Sequence, residues 1–473
     1  MARLLFLQNH DYEFLGPMYI SAAAKQAGHE CRLGIGNKLK HFTALLEDFR
    51  PDLVGFSVMT GSHAWATDMA TQIKRAYGIR GLFGGPHATC FPAFAADPAV
   101  DIMVRGEGEA ATVEILDRIA GRRELDGIAN VSFKRNGTLL EYPLRHLEED
   151  LDRLPFPDRS LYRDRKRVPD RSVYRVISAR GCPYSCAFCF TEMMRQLYKG
   201  KGKAIRLRRV ERVIAECREL KERHGARVIY FSDDLFGTDK RWLYEFLDVF
   251  RAEIGLPFSC QVRADIVASD KGYAKRLAEA GCRSVFFGVE TGNERLRNQV
   301  LNKRLRDEQI YATAEMLHKA GITFRTYNML GLPDETLEDS LTTLAMNIRI
   351  NADYPWCYIY TPYPGTALAE YARQKGYMDP HKDWTTCPES QYVSSRLKMP
   401  QIQEMQNLQK FFQTGVLWPR TVPLIKRLIR LPPNPIFTLW FGLVYFMVYL
   451  RSENRRFWGT IWFALANARH VLR

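Results

Sequence analysis

The sequence predicts two successive α/β domains followed by a helical C-terminal region, and three observations carry that expectation. Short apolar runs alternate with helix-length amphipathic stretches over residues 1–120. The same alternation returns with a longer period from Val173, while residues 386–473 lose it and read as helical, basic and apolar. At 473 residues the chain also exceeds what a single hydrophobic core usually serves.

In the first domain, placed at residues 1–130, strand-like runs at Leu4–Leu7, Leu53–Val58 and Gly81–Gly85 alternate with amphipathic stretches ending at Ala22–Gln26 and spanning Ala66–Ala76. Such alternation implies a doubly wound parallel sheet with helices on both faces, and ligands of such sheets bind at the carboxyl ends of the strands. Two ends stand out, Ser57-Val58-Met59-Thr60 and Gly84-Gly85-Pro86-His87. Residues 131–172 read as a linker: a small hairpin around Asn136-Gly137, then a Pro-broken stretch through Pro155 and Pro157, then dense charge from Arg163 to Arg171.

The second domain, residues 173–385, offers strands at Val173–Ser178, Val228–Ser232, Phe258–Val262, Ser284–Gly288, Thr323–Met329 and Trp356–Thr361. Six βα units of this length suit a partial (β/α)6 barrel of the TIM type, with its chemistry at the strands' carboxyl ends.

The net charge of +15 points to a polyanionic partner: nucleic acid, an anionic membrane surface or a phosphorylated substrate. Position narrows the choice, since residues 401–473 hold ten Lys or Arg against Glu404 and Glu453 and interleave them with long apolar runs. No appended nucleic-acid module is visible, which reads against nucleic acid. Ten cysteines without a secretory leader indicate reduced thiols in the cytoplasm, and Cys31, Cys90, Cys217, Cys260, Cys282, Cys357 and Cys387 read as core residues.

The other three cysteines follow the second domain's first strand as Cys182-Pro183-Tyr184-Ser185-Cys186-Ala187-Phe188-Cys189. Three thiolates so close can ligate three irons of a [4Fe–4S] cluster and leave the fourth open. A structural zinc site would need a fourth ligand, and the nearest candidates, Cys217 and His224, fall in or after a helical pattern. C-x3-C-x-aromatic-C after the first strand of a βα barrel resembles the signature of the radical S-adenosylmethionine (SAM) superfamily, with Phe188 as the aromatic. The resemblance implies that SAM chelates the open iron and is cleaved to a 5′-deoxyadenosyl radical, with electrons from a donor such as flavodoxin or ferredoxin.

Further positions resemble that family. Asp233, after the second strand, corresponds to polar contacts with the SAM amino group, and Arg263 and Glu290 to positions near its carboxylate or ribose. A structural ion pair among these charges is the plain alternative. Gly331, in Tyr327-Asn328-Met329-Leu330-Gly331-Leu332-Pro333-Asp334-Glu335, matches the fifth-strand motif beside adenine, although Tyr327 replaces its first Gly and Asp334 its usual acid.

Gly84-Gly85-Pro86-His87 and Arg105-Gly106-Glu107-Gly108-Glu109 resemble the Rossmann-like cobalamin-binding domain that precedes the barrel in one large subfamily. The resemblance implies a cobalamin crevice near Ser57, Gly84, Gly85, His87, Gly106 and Glu107. The signature D-x-H-x-x-G is absent, with Asn9-His10-Asp11-Tyr12 at its place, so no protein histidine is expected on cobalt. A domain of this fold that has lost its cofactor is the alternative.

These resemblances imply radical methylation of an unactivated carbon in a small or lipid-like substrate. The alternatives are an oxidative ring closure, as in the anaerobic magnesium-protoporphyrin ester cyclases the chain also resembles, and RNA modification. Ile436–Leu450, apolar apart from Thr438, is short for a bilayer crossing after Pro432-Pro433-Asn434-Pro435. With Phe457–Ala468 it reads as an interfacial helix pair on the inner face of a membrane, or as two core helices covering the barrel.

Overall fold

In the computed structural model, which describes residues 1–162, 172–381 and 394–452, the chain forms two compact units. The first contains a seven-stranded sheet: β1 (Arg3–Gln8), β2 (Glu30–Ile35), β3 (Leu53–Ser57), β4 (Arg80–Gly84), β5 (Ile102–Val104), β6 (Val131–Arg135) and β7 (Thr138–Glu141), in the order β2-β1-β3-β4-β5-β6-β7. Strands β1 to β5 pair in parallel and β6 and β7 antiparallel. Alternation along β1 explains why its run is wholly apolar. Leu4 and Phe6 enter a core covered by α1 (Leu15–Gln26), while Leu5 and Leu7 enter a second core under α2 (His63–Tyr77). A strand buried on both faces has no polar period to show.

The hairpin of the expected linker, with Asn136 and Gly137 both at positive φ, is β6–β7, and β6 extends the sheet by pairing with β5. The segment Met193–Ala204 also belongs to this unit rather than to the barrel, and Leu147 N–H donates to the Lys201 carbonyl at 2.8 Å. The predicted boundary charges Arg163–Arg171 lie outside the described residues.

The second unit is a six-stranded parallel sheet of β8 (Val173–Val176), β9 (Val228–Phe231), β10 (Phe258–Gln261), β11 (Cys282–Glu290), β12 (Thr323–Leu330) and β13 (Tyr354–Ile359), hydrogen-bonded in chain order. This is the expected partial barrel. Helices α3 (Val210–His224), α4 (Lys240–Glu253), α5 (Asp307–Lys319) and α6 (Leu337–Arg349) cover its outer face. Local signals set their starts: the Asp239 carboxylate accepts the Trp242 N–H at 2.9 Å, and Thr336 and Asp339 form a capping box.

The described C-terminal residues are helical and pack onto this unit. Helix α7 (Ile402–Leu417) lies against β13, where Gln409 Nε2 donates to the Cys357 carbonyl at 3.1 Å. Helix α8 (Pro435–Ser452) is tied to α7 by a 2.8 Å bond from Trp440 Nε1 to Thr414 Oγ1.

Candidate active site

The cysteine loop leaves β8 through Ser178 and Ala179, and the carboxylate of Asp233 at the end of β9 fixes that exit. Its Oδ1 accepts both backbone N–H groups, at 2.7 and 2.6 Å, and its Oδ2 accepts the Ser178 hydroxyl at 3.0 Å. Asp233 is 1% exposed, and burial raises its carboxyl to about 7. The residue expected to meet SAM thus holds the loop's entrance and has no face toward solvent. The rest of the loop is pinned through backbone: Ala187 N–H donates to the Leu301 carbonyl at 2.9 Å, and Asn302 Nδ2 to the Ser185 carbonyl at 2.8 Å.

Arg263, just after β10, is buried among several partners. Its Nε donates to Asp265 at 2.9 Å, its guanidinium lies 3.6 Å from the Tyr184 ring centroid, Nη2 reaches the Lys303 carbonyl, and Nη1 lies 3.7 Å from Cys186 Sγ. Tyr184 Oη completes the ring of contacts with 3.1 Å to Asp265.

At the end of β11, Glu290 adopts φ +65° and pairs with Lys303 at 2.7 Å, both being buried. A Cβ at Gly288 would fall 1.8 Å from Glu290 Oε1 and 2.7 Å from Lys303 Nζ, so only glycine leaves the pair its place. Lys303 Nζ also lies 5.8 Å from the Phe188 ring centroid. Phe188, Arg263 and Glu290 are therefore brought together, through Lys303 and Cys186. No ion pair links Asp233, Arg263 and Glu290 to one another in this arrangement.

Sequence reasoning missed Tyr184, Asp265 and Lys303. Asp265 could have been suspected from its place two residues beyond Arg263; Lys303 carried no local signal. In the fifth-strand motif, Gly331 is buried at φ +75°, where a Cβ would press on Ile402, so it serves the turn. Asp334 is not the buried acid there: it accepts the Tyr377 hydroxyl at 2.7 Å, while Glu335 closes the turn from inside, accepting the Leu332 N–H at 2.8 Å. Burial raises Glu335 to about 8.

The first unit presents small residues at its strand ends. Its sheet order reverses direction between β1 and β3, which opens a crevice at their carboxyl ends. Half-buried Ser57 stands at that place, with its Oγ 4.0 Å from where a Cβ on Gly16 would lie. Gly84 has nothing nearer than 3.7 Å to an added Cβ, and Gly85, at φ +94°, passes so close to Val58 that a Cβ would meet its backbone at 2.9 Å. The other three expected residues have neighbours within this unit. The His87 ring is stacked 4.1 Å from His63, edged by Phe91 and Phe94 and bonded to Thr60 at 3.1 Å. Burial, with His63 beside it, lowers His87 to about 3 and keeps it neutral. Gly106 makes room for the Tyr198 hydroxyl, 1.5 Å from a would-be Cβ, and Glu107 accepts the Glu148 N–H at 3.2 Å.

Residues 176–346 match the radical SAM superfamily and residues 9–116 the B12 binding domain. An uncharacterized methyltransferase of Pyrococcus horikoshii is 31% identical over 366 residues, covering 76% of this chain and 78% of the relative. The chain belongs to the radical SAM superfamily. It is also 26% identical to the hopanoid C-3 methylase of Methylococcus capsulatus, over 75% of this chain and 67% of that one. The radical SAM methyltransferase TsrM of Kitasatospora setae, solved with tryptophan and a SAM analogue, shares the fold with a TM-score of 0.71 at 17% identity, covering 99% of this chain and all of that one.

This radical SAM enzyme uses a [4Fe–4S] cluster, SAM and cobalamin, and its residues fit all three. The loop cysteines are free, Cys186 buried and Cys182 and Cys189 half-buried. Among the described residues no three His, Cys, Asp or Glu side chains converge on one point, and the loop's spacing offers three thiols rather than the four ligands of a closed structural zinc site. Small residues at the ends of β3 and β4, Ser57 and uncrowded Gly84, suit the approach of a nucleotide tail. Of the cysteines expected in cores, Cys31, Cys217, Cys260, Cys282 and Cys357 are buried and Cys90 is half-buried, while Cys387 lies outside the described residues.

Proposed function

We propose that this enzyme methylates an unactivated carbon of a lipid-like substrate at an anionic membrane surface. When bound, the cluster and SAM supply a radical able to remove hydrogen from such a carbon, and cobalamin supplies the methyl group. Cys182, Cys186 and Cys189 hold the cluster. Arg263 and Tyr184 fix the middle cysteine, and the Lys303–Glu290 pair offers the charged groups that meet the amino acid end of SAM. The first-unit crevice at Ser57, Gly84 and Gly85 takes the cobalamin tail. The observation that carries methylation is the pairing of this loop with that crevice in one chain, and both curated relatives described above are named for methyl transfer. Incubating the anaerobically reconstituted, reduced enzyme with methyl-labelled SAM and membrane lipid extract should place label in the lipid fraction. Hydrogen loss without label would favour ring closure instead. An external flavodoxin or ferredoxin provides the electrons.

The membrane reading rests on the distribution of exposed apolar side chains. Of the ten large exposed hydrophobics among the described residues, seven lie between Trp418 and Leu443. That stretch carries exposed Arg420, Lys426, Arg427 and Arg430, and no acid occurs from Trp418 to Ser452. Apolar side chains rimmed only by cations complement an anionic bilayer. Helix α8 is long and apolar enough to cross a membrane, with 18 residues and a mean hydropathy of 1.3. Its inner face is docked on α7 and the barrel, which favours lying on the surface over crossing. The second helix of the expected pair, Phe457–Ala468, lies outside the described residues. Full-length protein should sediment with phosphatidylglycerol vesicles at low salt, and Ile436→Glu with Leu443→Glu should abolish sedimentation while leaving the cluster in place. Unchanged sedimentation would remove this face as the anchor.

A further inference from the structure

Beyond the cofactor residues, the barrel's inner face changes character toward its last strands. Val285, Phe287, Phe324, Cys357 and Ile359 point outward into the core beneath the helices, so the alternate positions point inward. Among these, Tyr327, Trp356 and Tyr358 form a triangle of rings with centroids 6.4 to 6.5 Å apart. Below them the Arg325 guanidinium lies between Phe286 and Trp356, at 4.4 and 3.9 Å from their centroids.

Among the described residues strand β13 is an edge of the sheet, and α8 reaches round it. The Tyr445 and Tyr449 rings lie 5.5 and 6.5 Å from Trp356, and Ser452 Oγ accepts from Arg325 at 3.0 Å. On its other side α8 exposes Ile436, Leu439 and Leu443, between 59% and 73% accessible. One helix thus carries apolar surface from the outside of the unit to the inner wall.

We infer that the substrate is a membrane lipid with a flat, fused-ring body, taken up along α8 and held against the Tyr327–Trp356–Tyr358 wall. Aromatic side chains with two torsions offer rigid flat faces, and these gain most contact from a rigid flat partner. A flexible acyl chain would lose conformational freedom there for less contact. Tyr327 strengthens the argument because it stands where the resembling motif has glycine, adding a ring to this wall. Trp356 Nε1 is buried and has no hydrogen-bond partner among the described residues. An oxygen on the ring body would satisfy it, since a buried donor left unmatched is costly. Trp356 is therefore the specificity-determining residue.

The inference rests on the lipid-like reading of the substrate and is tested apart from membrane attachment. Reconstituted full-length enzyme is irradiated with vesicles of phosphatidylglycerol and phosphatidylcholine containing either a sterol with a diazirine on its rings or a phosphatidylcholine with a diazirine at an acyl end. The sterol probe should label peptides holding Tyr327 or Trp356–Tyr358, and the acyl probe only Ile436–Leu443. Trp356→Phe, which keeps a ring and removes the donor, should raise the half-saturating sterol concentration about fivefold. Tyr327→Gly should reduce labelling without changing sedimentation. Sterol labelling confined to the α8 surface, or equal acyl labelling of the inner wall, would overturn the substrate class. Labelling of the wall from detergent micelles by protein that does not sediment with vesicles would keep the substrate class and reject the membrane surface.

Discussion

Both α/β units gather small and polar residues at the carboxyl ends of parallel strands, but the two ends are built differently. At the barrel end, charged side chains from β10, β11 and the chain beyond them join one network through Arg263, Lys303 and Glu290 around the cysteine loop. At the end of the first sheet, His87 stacks on His63, Gly106 makes room for Tyr198 and Glu107 accepts from Glu148, while Ser57 and Gly84 are small residues on neighbouring strand ends. One end gathers charges and thiols; the other gathers small residues. Substitutions should accordingly abolish function at the first and chiefly shift stability at the second.

The sharpest test of that contrast is the cysteine loop. Replacing any of Cys182, Cys186 or Cys189 by Ala should eliminate the cluster's visible absorbance and SAM cleavage, whereas Cys31→Ala should retain both. A cluster surviving in the triple variant would dissolve the distinction. Next, Lys303→Met leaves Glu290 buried at positive φ without its partner, so unfolding in urea should show a loss of about 3–5 kcal/mol. A loss below 1 kcal/mol, within the range of exposed pairs, would mean that the network does not act as a buried unit.

A pH dependence follows from Asp233. Its folded carboxyl sits at about 7, above the ordinary value of about 3.9, so the folded chain holds this proton more tightly than the unfolded chain. Its contribution is greatest below about pH 4 and is lost as pH rises toward 7. Asp233→Asn keeps the shape and removes that slope, so stability of the variant relative to the parent should increase between pH 5 and pH 8. A flat difference would show that the carboxylate is fully compensated by Ser178 and Ala179. The smallest effect belongs to the first sheet. His87→Phe should cost about 1 kcal/mol through the lost bond to Thr60 and leave cobalamin retention and its absorption spectrum unchanged. Loss of cobalamin would turn His87 back into a ligand-facing residue.

Much of this was legible in the chain. All six barrel strands fell where apolar runs placed them, and the cysteine spacing located the loop, because strand periodicity and ligand spacing are properties of neighbouring residues. Strands β2 and β5 were missed: β2 alternates Cys31, Leu33 and Ile35 with Glu30 and Arg32 at a sheet edge, and β5 has only three residues. Asp233, His87 and Gly331 were found as residues of note, but the neighbours they pack against were not legible, since a position after a strand does not reveal which way the chain then turns.

By itself, the sequence determined the order of the two α/β units, the six strands of the barrel and the three-thiol loop, all set by patterns within about ten residues. Only the tertiary structure decided that Lys303 serves both Glu290 and Arg263, that the hairpin at residues 131–141 belongs to the first sheet, and that α8 has one face docked and one exposed. Those outcomes depend on partners far apart in the chain, such as Trp356 and Tyr445, whose meeting is fixed by burial of apolar surface over the whole unit and leaves no trace in local spacing.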